Sequence, residues 1–249
     1  MTLDINSITA SDLTVDGYLQ DLVLDSPDVE AFAAELARFT SATFSSVGGP
    51  VLCGVTLLRR KKPLTLASSD NRAKAMDQLQ NTFGEGPCLT AMKQMSSVLV
   101  PDLSEERRWP DYVAAASNHG ICSILGVPLA VEGETRAALN LYSPKPHGFS
   151  GEDISRVEYF ASHASKSLRL ALRIASLTDT RDNMAAAMRS RTVIDLAAGA
   201  IMAQNRCSQE TAMRIMTAAS NHRNMKLRDV AASIVKDIAR APVATHFDA

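Results

Sequence analysis

The sequence predicts an α+β domain, a central antiparallel sheet flanked by helices, joined by a long helix to an all-α bundle of three helices. Three observations predict it. Short β-rich runs and helical stripes are interspersed along the N-terminal part of the chain. From residue 152 to 198 there is neither glycine nor proline. Beyond residue 182 the apolar positions recur at helical spacing, in three blocks with short connections between them.

Taken in order, residues 1–24 alternate polar and apolar positions without a firm period and read as a tail or a short packing arm. Val29, Phe32, Ala33, Leu36 and Phe39 form a helical stripe over 29–43, with Ser26-Pro27-Asp28 as its start signal. Gly48-Gly49-Pro50 breaks the chain. The run 51–58, a basic turn over 59–62 and the run 64–67 read as a β-hairpin. A helix is expected over 70–79, and another short one after Gly86-Pro87. A strand follows at 98–100, a helix from Trp109-Pro110 to Ala116, and a strand over 121–131. After a turn at Gly133, its hairpin partner spans 137–142.

The long helical stretch carries Val157, Ala161, Ala164, Leu168, Ala171 and Ala175 at alternating spacings of four and three. That is the heptad signature of a seam between paired helices, so two chains are expected to pair along it. The pattern fails at Thr178-Asp179-Thr180-Arg181-Asp182 and resumes in a new phase at Met184 and Met188.

In the last part, Ile194, Ala197, Ala198 and Ile201 mark a first helix. Ala212, Met213, Ile215, Met216 and Ala219 mark a second. Leu227, Val230, Ala231, Ile234, Val235 and Ile238 mark a third. Ser208 stands where an N-cap belongs, with Glu210 in the first turn, and Asn221 and Asn224 bracket the other corner. Cations outnumber acids between residues 182 and 240, although the whole chain has a formal net charge of −1. A basic segment in a slightly acidic chain points to an anionic partner.

The order Arg191, Ile194-Asp195, Ala197, Gly199, Ile201-Met202, Ser208, Ala212, Ser220, Asn224, Lys226-Leu227-Arg228-Asp229-Val230-Ala231 and Ile234-Val235 resembles the ANTAR domain. This is the three-helix RNA-binding module of bacterial transcription antiterminators. One position departs from the pattern: many relatives carry a cation where this chain has Ala198. Upstream, Gly84-Glu85-Gly86-Pro87-Cys88-Leu89, Arg108-Trp109-Pro110, Pro128-Leu129 and Leu139-Asn140-Leu141-Tyr142 resemble the GAF domains that precede ANTAR modules in actinobacterial regulators. The resemblance implies a sensor sheet around a small-molecule pocket, with no ligand specified. The expected partition is an arm over 1–24, a GAF domain over 25–170, a helical linker with coiled-coil character over 171–183, an ANTAR domain over 184–241 and a tail over 242–249.

Chemistry other than binding finds little support. There is no GxSxG, Walker loop, HExxH or kinase signature, and no Asp ends a buried strand as a phosphorylated receiver would require: the run 51–58 leads into Arg59-Arg60 and the run 121–131 into Glu132-Gly133. The chain therefore reads as a non-enzyme. His119, His147, His163, His222 and His246 show no metal-ligand spacing, and Cys53, Cys88, Cys122 and Cys207 form no CxxC pair, so no metal is expected. Cys88, close to a helix start, admits a redox-sensing thiol. The competing reading, which the frequency of buried cysteine favours, is a small apolar core residue. No apolar run approaches the ~20 residues of a membrane span, the N-terminus has no secretory pattern, and the cysteines suit a reducing compartment. A cytoplasmic protein is expected.

No Phe, Tyr or Trp lies between residues 182 and 240, so base stacking on aromatic side chains is excluded for the bundle. RNA would instead be held by Arg191, Arg206, Arg214, Arg223, Lys226 and Arg228, with polar reading by Asn221, His222 or Asn224. Ala197, Gly199, Ala212 and Ala231 are expected to let helices approach closely, and Met202 and Ser220 to pack and to stabilise a turn. The competing classes are a DNA-binding helical regulator, a protein-interaction adaptor for an acidic partner, and an enzyme that degrades its own ligand.

Overall fold

A computed structural model describes residues 12–45, 49–59, 62–133 and 135–238. The start of the arm, Gly48, the basic turn at 60–61, residues 239–241 and the tail over 242–249 lie outside the described residues. The chain divides into two compact units, Met1–Ala175 and Ser176–Ala249.

The first unit is built on five antiparallel strands: β1 (Leu52–Arg59), β2 (Lys62–Ser68), β3 (Val98–Val100), β4 (Ser123–Leu129) and β5 (Arg136–Ser143). Their spatial order is β2-β1-β5-β4-β3. The expected hairpins β1–β2 and β4–β5 are both present. Long-range pairing of β1 with β5 joins them, setting Leu52 against Tyr142, Gly54 against Asn140 and Leu58 against Arg136.

Because successive strand residues face opposite ways, the sheet has two different faces. One carries Cys53, Val55, Leu57, Leu125, Val127, Leu139 and Leu141 into the larger core. That core is closed by α1 (Asp12–Asp25), α2 (Val29–Phe44) and the N-terminal part of α6 (Gly151–Asn205). The other face carries Leu52, Ile124 and Tyr142 toward α3 (Asn71–Phe83), α4 (Pro87–Gln94) and α5 (Pro110–Ala116). Local chemistry sets the ends of these helices. Asp28 and Asp70 accept hydrogen bonds from the N–H groups of Ala31 and Ala73, at 2.7 and 2.9 Å. Ser150 and Asp153 cap the start of α6 reciprocally.

Of the two readings of the N-terminal stretch the packing arm fits the described residues, and the expected seam is corrected. The described part of the arm is the helix α1, with Leu19, Leu22 and Val23 buried in the larger core and Asp16 on the His163 ring at 2.5 Å. The stripe expected to pair two chains is already occupied. Val157, Ala161, Ala164, Leu168 and Ala171 are buried against this unit's own sheet and helices, and Ala175 packs beside them. A helix lying on a sheet needs an apolar stripe of nearly the period of a coiled-coil seam, so sequence spacing does not separate the two. The helix also runs through the polar stretch 178–182 without interruption.

The second unit packs the C-terminal part of α6 with α7 (Gln209–Arg223) and α8 (Leu227–Ile238). Its core is Ala197, Ala198, Ile201, Ala212, Met216, Ala231 and Val235. Ser208 caps α7 by accepting from the Thr211 N–H at 3.3 Å. Asn224 ends it in the left-handed region at φ 50°, and the Ser220 hydroxyl donates to the Met225 carbonyl at 2.6 Å across the corner. Among the described residues no helix is long and apolar enough to cross a membrane.

Candidate functional site

The bundle places all six expected cations on its surface. Arg191 is on α6, Arg206 in the corner before α7, Arg214 and Arg223 on α7, Lys226 in the next corner and Arg228 in the first turn of α8. Arg206 adopts φ 49°, a left-handed conformation that ends α6. Arg191 reaches Asp195 at 3.7 Å with its side chain 86% exposed, and Arg228 reaches Asp229 at 3.3 Å. Such exposed pairs contribute little. Arg206, Arg214, Arg223 and Lys226 have no carboxylate partner among the described residues. Asn221, His222 and Asn224 are exposed beside them.

The remaining motif positions divide by burial. Ala197, Ala212 and Ala231 are fully buried at the helix crossings, and Met202 packs against them. Ala198 is 3% exposed in the same core, so a long cation there would have to run its stem out between helices before its charge met water. Gly199 corrects the expectation made for it. It is exposed, and a Cβ added to it would meet nothing within 4 Å, so no neighbouring helix among the described residues approaches it.

In the first unit, sequence reasoning missed a polar network under α3. The Tyr142 hydroxyl and the Asn140 Nδ2 both donate to Asp77 Oδ1, at 2.5 and 2.7 Å. Asn140 Nδ2 also reaches Thr56, Gln80 Nε2 donates to the Tyr142 oxygen, and Gln80 Oε1 accepts from the Cys88 N–H at 2.8 Å. Gly54 and Gly86 make room for it: a Cβ at Gly54 would lie 1.9 Å from Asp77 Oδ2, and one at Gly86 2.5 Å from Gln80 Oε1. Asp77 Oδ2, Asn140 Oδ1 and the Tyr112 hydroxyl find no partner among the described residues. Burial pushes the Asp77 carboxyl up to about 7, against the pull of its two donors. The available signal was periodicity: Ala73, Met76, Asp77 and Gln80 share the inward stripe of α3, two of them polar.

Cys88 is 1% exposed, and burial pushes its thiol well up, opposite to the lowering a reactive thiol needs. Its surroundings, Met92 and Ala138, are those of a small apolar core residue. Beside this cluster a cleft of about 800 Å³ opens to solvent, with Leu58, Leu89, Lys93, Trp109 and Arg136 in its lining. Among the described residues no group of three His, Cys, Asp or Glu side chains is placed to hold a metal ion.

The first unit is thus a sheet domain with a buried polar network, and the second a basic three-helix bundle, the build of a regulatory protein in two modules. Residues 30–169 match the GAF domain and residues 182–235 match the ANTAR domain. The chain belongs to the GAF domain family and carries an ANTAR domain behind it, the architecture of GAF–ANTAR antitermination regulators. Both modules are regulatory rather than catalytic. No curated protein matches the chain. Among solved structures, the N-acylhomoserine lactone dependent LuxR-family transcription factor CepR2 of Burkholderia cenocepacia is 16% identical. That match covers 67% of this chain and 98% of CepR2 with a TM-score of 0.50, and the likeness is one of fold alone. The GAF domain of an Acinetobacter phosphoenolpyruvate-protein phosphotransferase is 16% identical, covering 66% of this chain and 97% of its own at TM-score 0.48. Free methionine-R-sulfoxide reductase of Neisseria meningitidis is 20% identical, covering 66% and 95% at TM-score 0.48.

Proposed function

We propose that this protein is a signal-responsive transcription antiterminator. The GAF domain takes up a small molecule, and the ANTAR bundle grips hairpin elements of a nascent transcript so that the terminator does not form. The observation that carries the reading is the set Arg206, Arg214, Arg223 and Lys226, exposed and without carboxylate partners among the described residues, on a bundle lacking aromatic side chains. Such a surface suits the phosphates of a folded stem more than splayed bases. The same reading makes the protein act as a pair. Leu177, Met184 and Met188 on α6 are about half or more exposed at spacings of seven and four, an apolar face suited to a second copy. Ligand uptake would then act by changing how the two helices meet.

Salt titrations of the full chain on a hairpin RNA and on duplex DNA test the central claim. Hairpin RNA should bind more tightly, with affinity falling steeply as salt rises. Replacing Arg223, Lys226 and Arg228 by glutamine should reduce the slope of log affinity against log salt by about 2–3, at ~0.7–0.9 for each phosphate no longer neutralised. Equal or better binding of duplex DNA would favour a DNA regulator. Binding of neither nucleic acid would favour a protein-interaction adaptor.

A further inference from the structure

On the sheet face under α3 and α4, the middle is closed by Asp77, Asn140 and Tyr142, so a ligand has no open space there without displacing them. The adjoining cleft is open, and its lining is sorted by chemistry. Leu58 and Leu89 form an apolar wall that packs on buried Cys88, Met92 and Ala138. Arg108 is already committed: it pairs with Glu106, donates to the Leu99 carbonyl at 2.8 Å and lies 4.4 Å over the Trp109 ring, fixing that indole in place.

Arg136 and Lys93 differ from it. They line the cleft from β5 and from α4, and neither has a carboxylate partner among the described residues. Arg136 uses one terminal nitrogen on the Gly133 and Thr135 carbonyls, while its Nε and Nη2 make no hydrogen bond among the described residues. Among the described residues of the lining, Glu85 is the one carboxylate. Two unpaired cations beside an apolar wall and a fixed indole fit a molecule with a negative end and an apolar body.

We infer that this cleft binds a small organic anion, a carboxylate or phosphate monoester, with Arg136 and Lys93 taking the charged end and Leu58, Leu89 and Trp109 meeting the body. The inference rests on the sensor reading and names the class of signal. Arginine's planar fork meets either anion through two hydrogen bonds, whereas lysine supplies a point charge.

Trp109 is the single tryptophan of the chain, so its emission reports the cleft directly. The full chain would be titrated with 4-phenylbutyrate, phenyl phosphate, inorganic phosphate and the uncharged 4-phenylbutanamide. Saturable emission changes are expected with the two organic anions, at least tenfold tighter than with the amide or inorganic phosphate. Arg136→Gln and Lys93→Gln should each weaken the anions about tenfold and leave the amide unaffected. Lys93 is exposed, so its variant carries the test should Arg136→Gln melt early. Equal response to acid and amide, or undiminished anion binding in both variants, overturns the anion assignment while leaving a sensor of neutral ligands standing. Silence from all four probes overturns the cleft as the binding site. The sensor reading is judged separately, by whether a bound probe changes affinity for hairpin RNA.

Discussion

Asp77 is a buried carboxyl with two donors and no nearby cation, and its raised pKa ties the protein's stability to pH. A carboxyl at 3.8 in the unfolded chain and about 7 in the folded one gives the folded state the extra proton between those values. Stability from this group is therefore full below the lower value and lost as pH rises toward the upper one, on the order of 1 kcal/mol per pH unit. Asp77→Asn should flatten this dependence, so that from pH 5 to pH 8 the wild type loses melting temperature relative to the variant. Identical pH profiles would show that Asp77 is ionised throughout. Gly54→Ala should cost about 2 kcal/mol or more, because the new methyl group meets the Asp77 carboxylate, and a denaturant titration would measure it. At this scale the sequence is readable where chemistry is local. Asp28, Asp70, Ser208 and Asn224 each act within a few residues of themselves. The Asp77–Tyr142 contact spans 65 positions, and nothing local announces it.

Among the elements, α6 shows where periodicity misleads. Val157, Ala161, Ala164 and Leu168 have a seam's spacing but face their own sheet, because both surroundings ask a helix for one apolar stripe. Leu168→Ala should therefore destabilise the GAF domain by about 2–5 kcal/mol whatever the state of association, as thermal melts across a concentration range would show. A glycine inside a helix costs ~1 kcal/mol relative to alanine, and no neighbour among the described residues requires Gly199. Gly199→Ala should raise bundle stability by about that amount. If hairpin binding then falls in the more stable variant, the nucleic acid approaches that face of α6; if it does not, the glycine is free of RNA. The strands, by contrast, were legible to within about two residues at each end, and 98–100 to the residue, since they are bounded by glycine, proline and charge.

For the whole molecule, the order of elements and the split of charge lead from sequence to architecture, and the GAF and ANTAR matches agree with both. The seam for association is what spacing alone misplaced, because the residues first suited to it are buried within one chain. Met184→Glu combined with Met188→Glu should convert a dimer to a monomer in sedimentation while leaving the GAF core folded. A wild type that is monomeric with and without RNA would remove the paired mechanism. Half of the bundle's buried apolar residues are alanine, so it holds its three helices together with little apolar area, far less than the sheet domain gains from its leucines and aromatics. Heat should consequently loosen the bundle first. A nucleic acid bound to the bundle should raise that lower calorimetric transition alone, and warming past the raised transition should release it while the sheet domain stays folded.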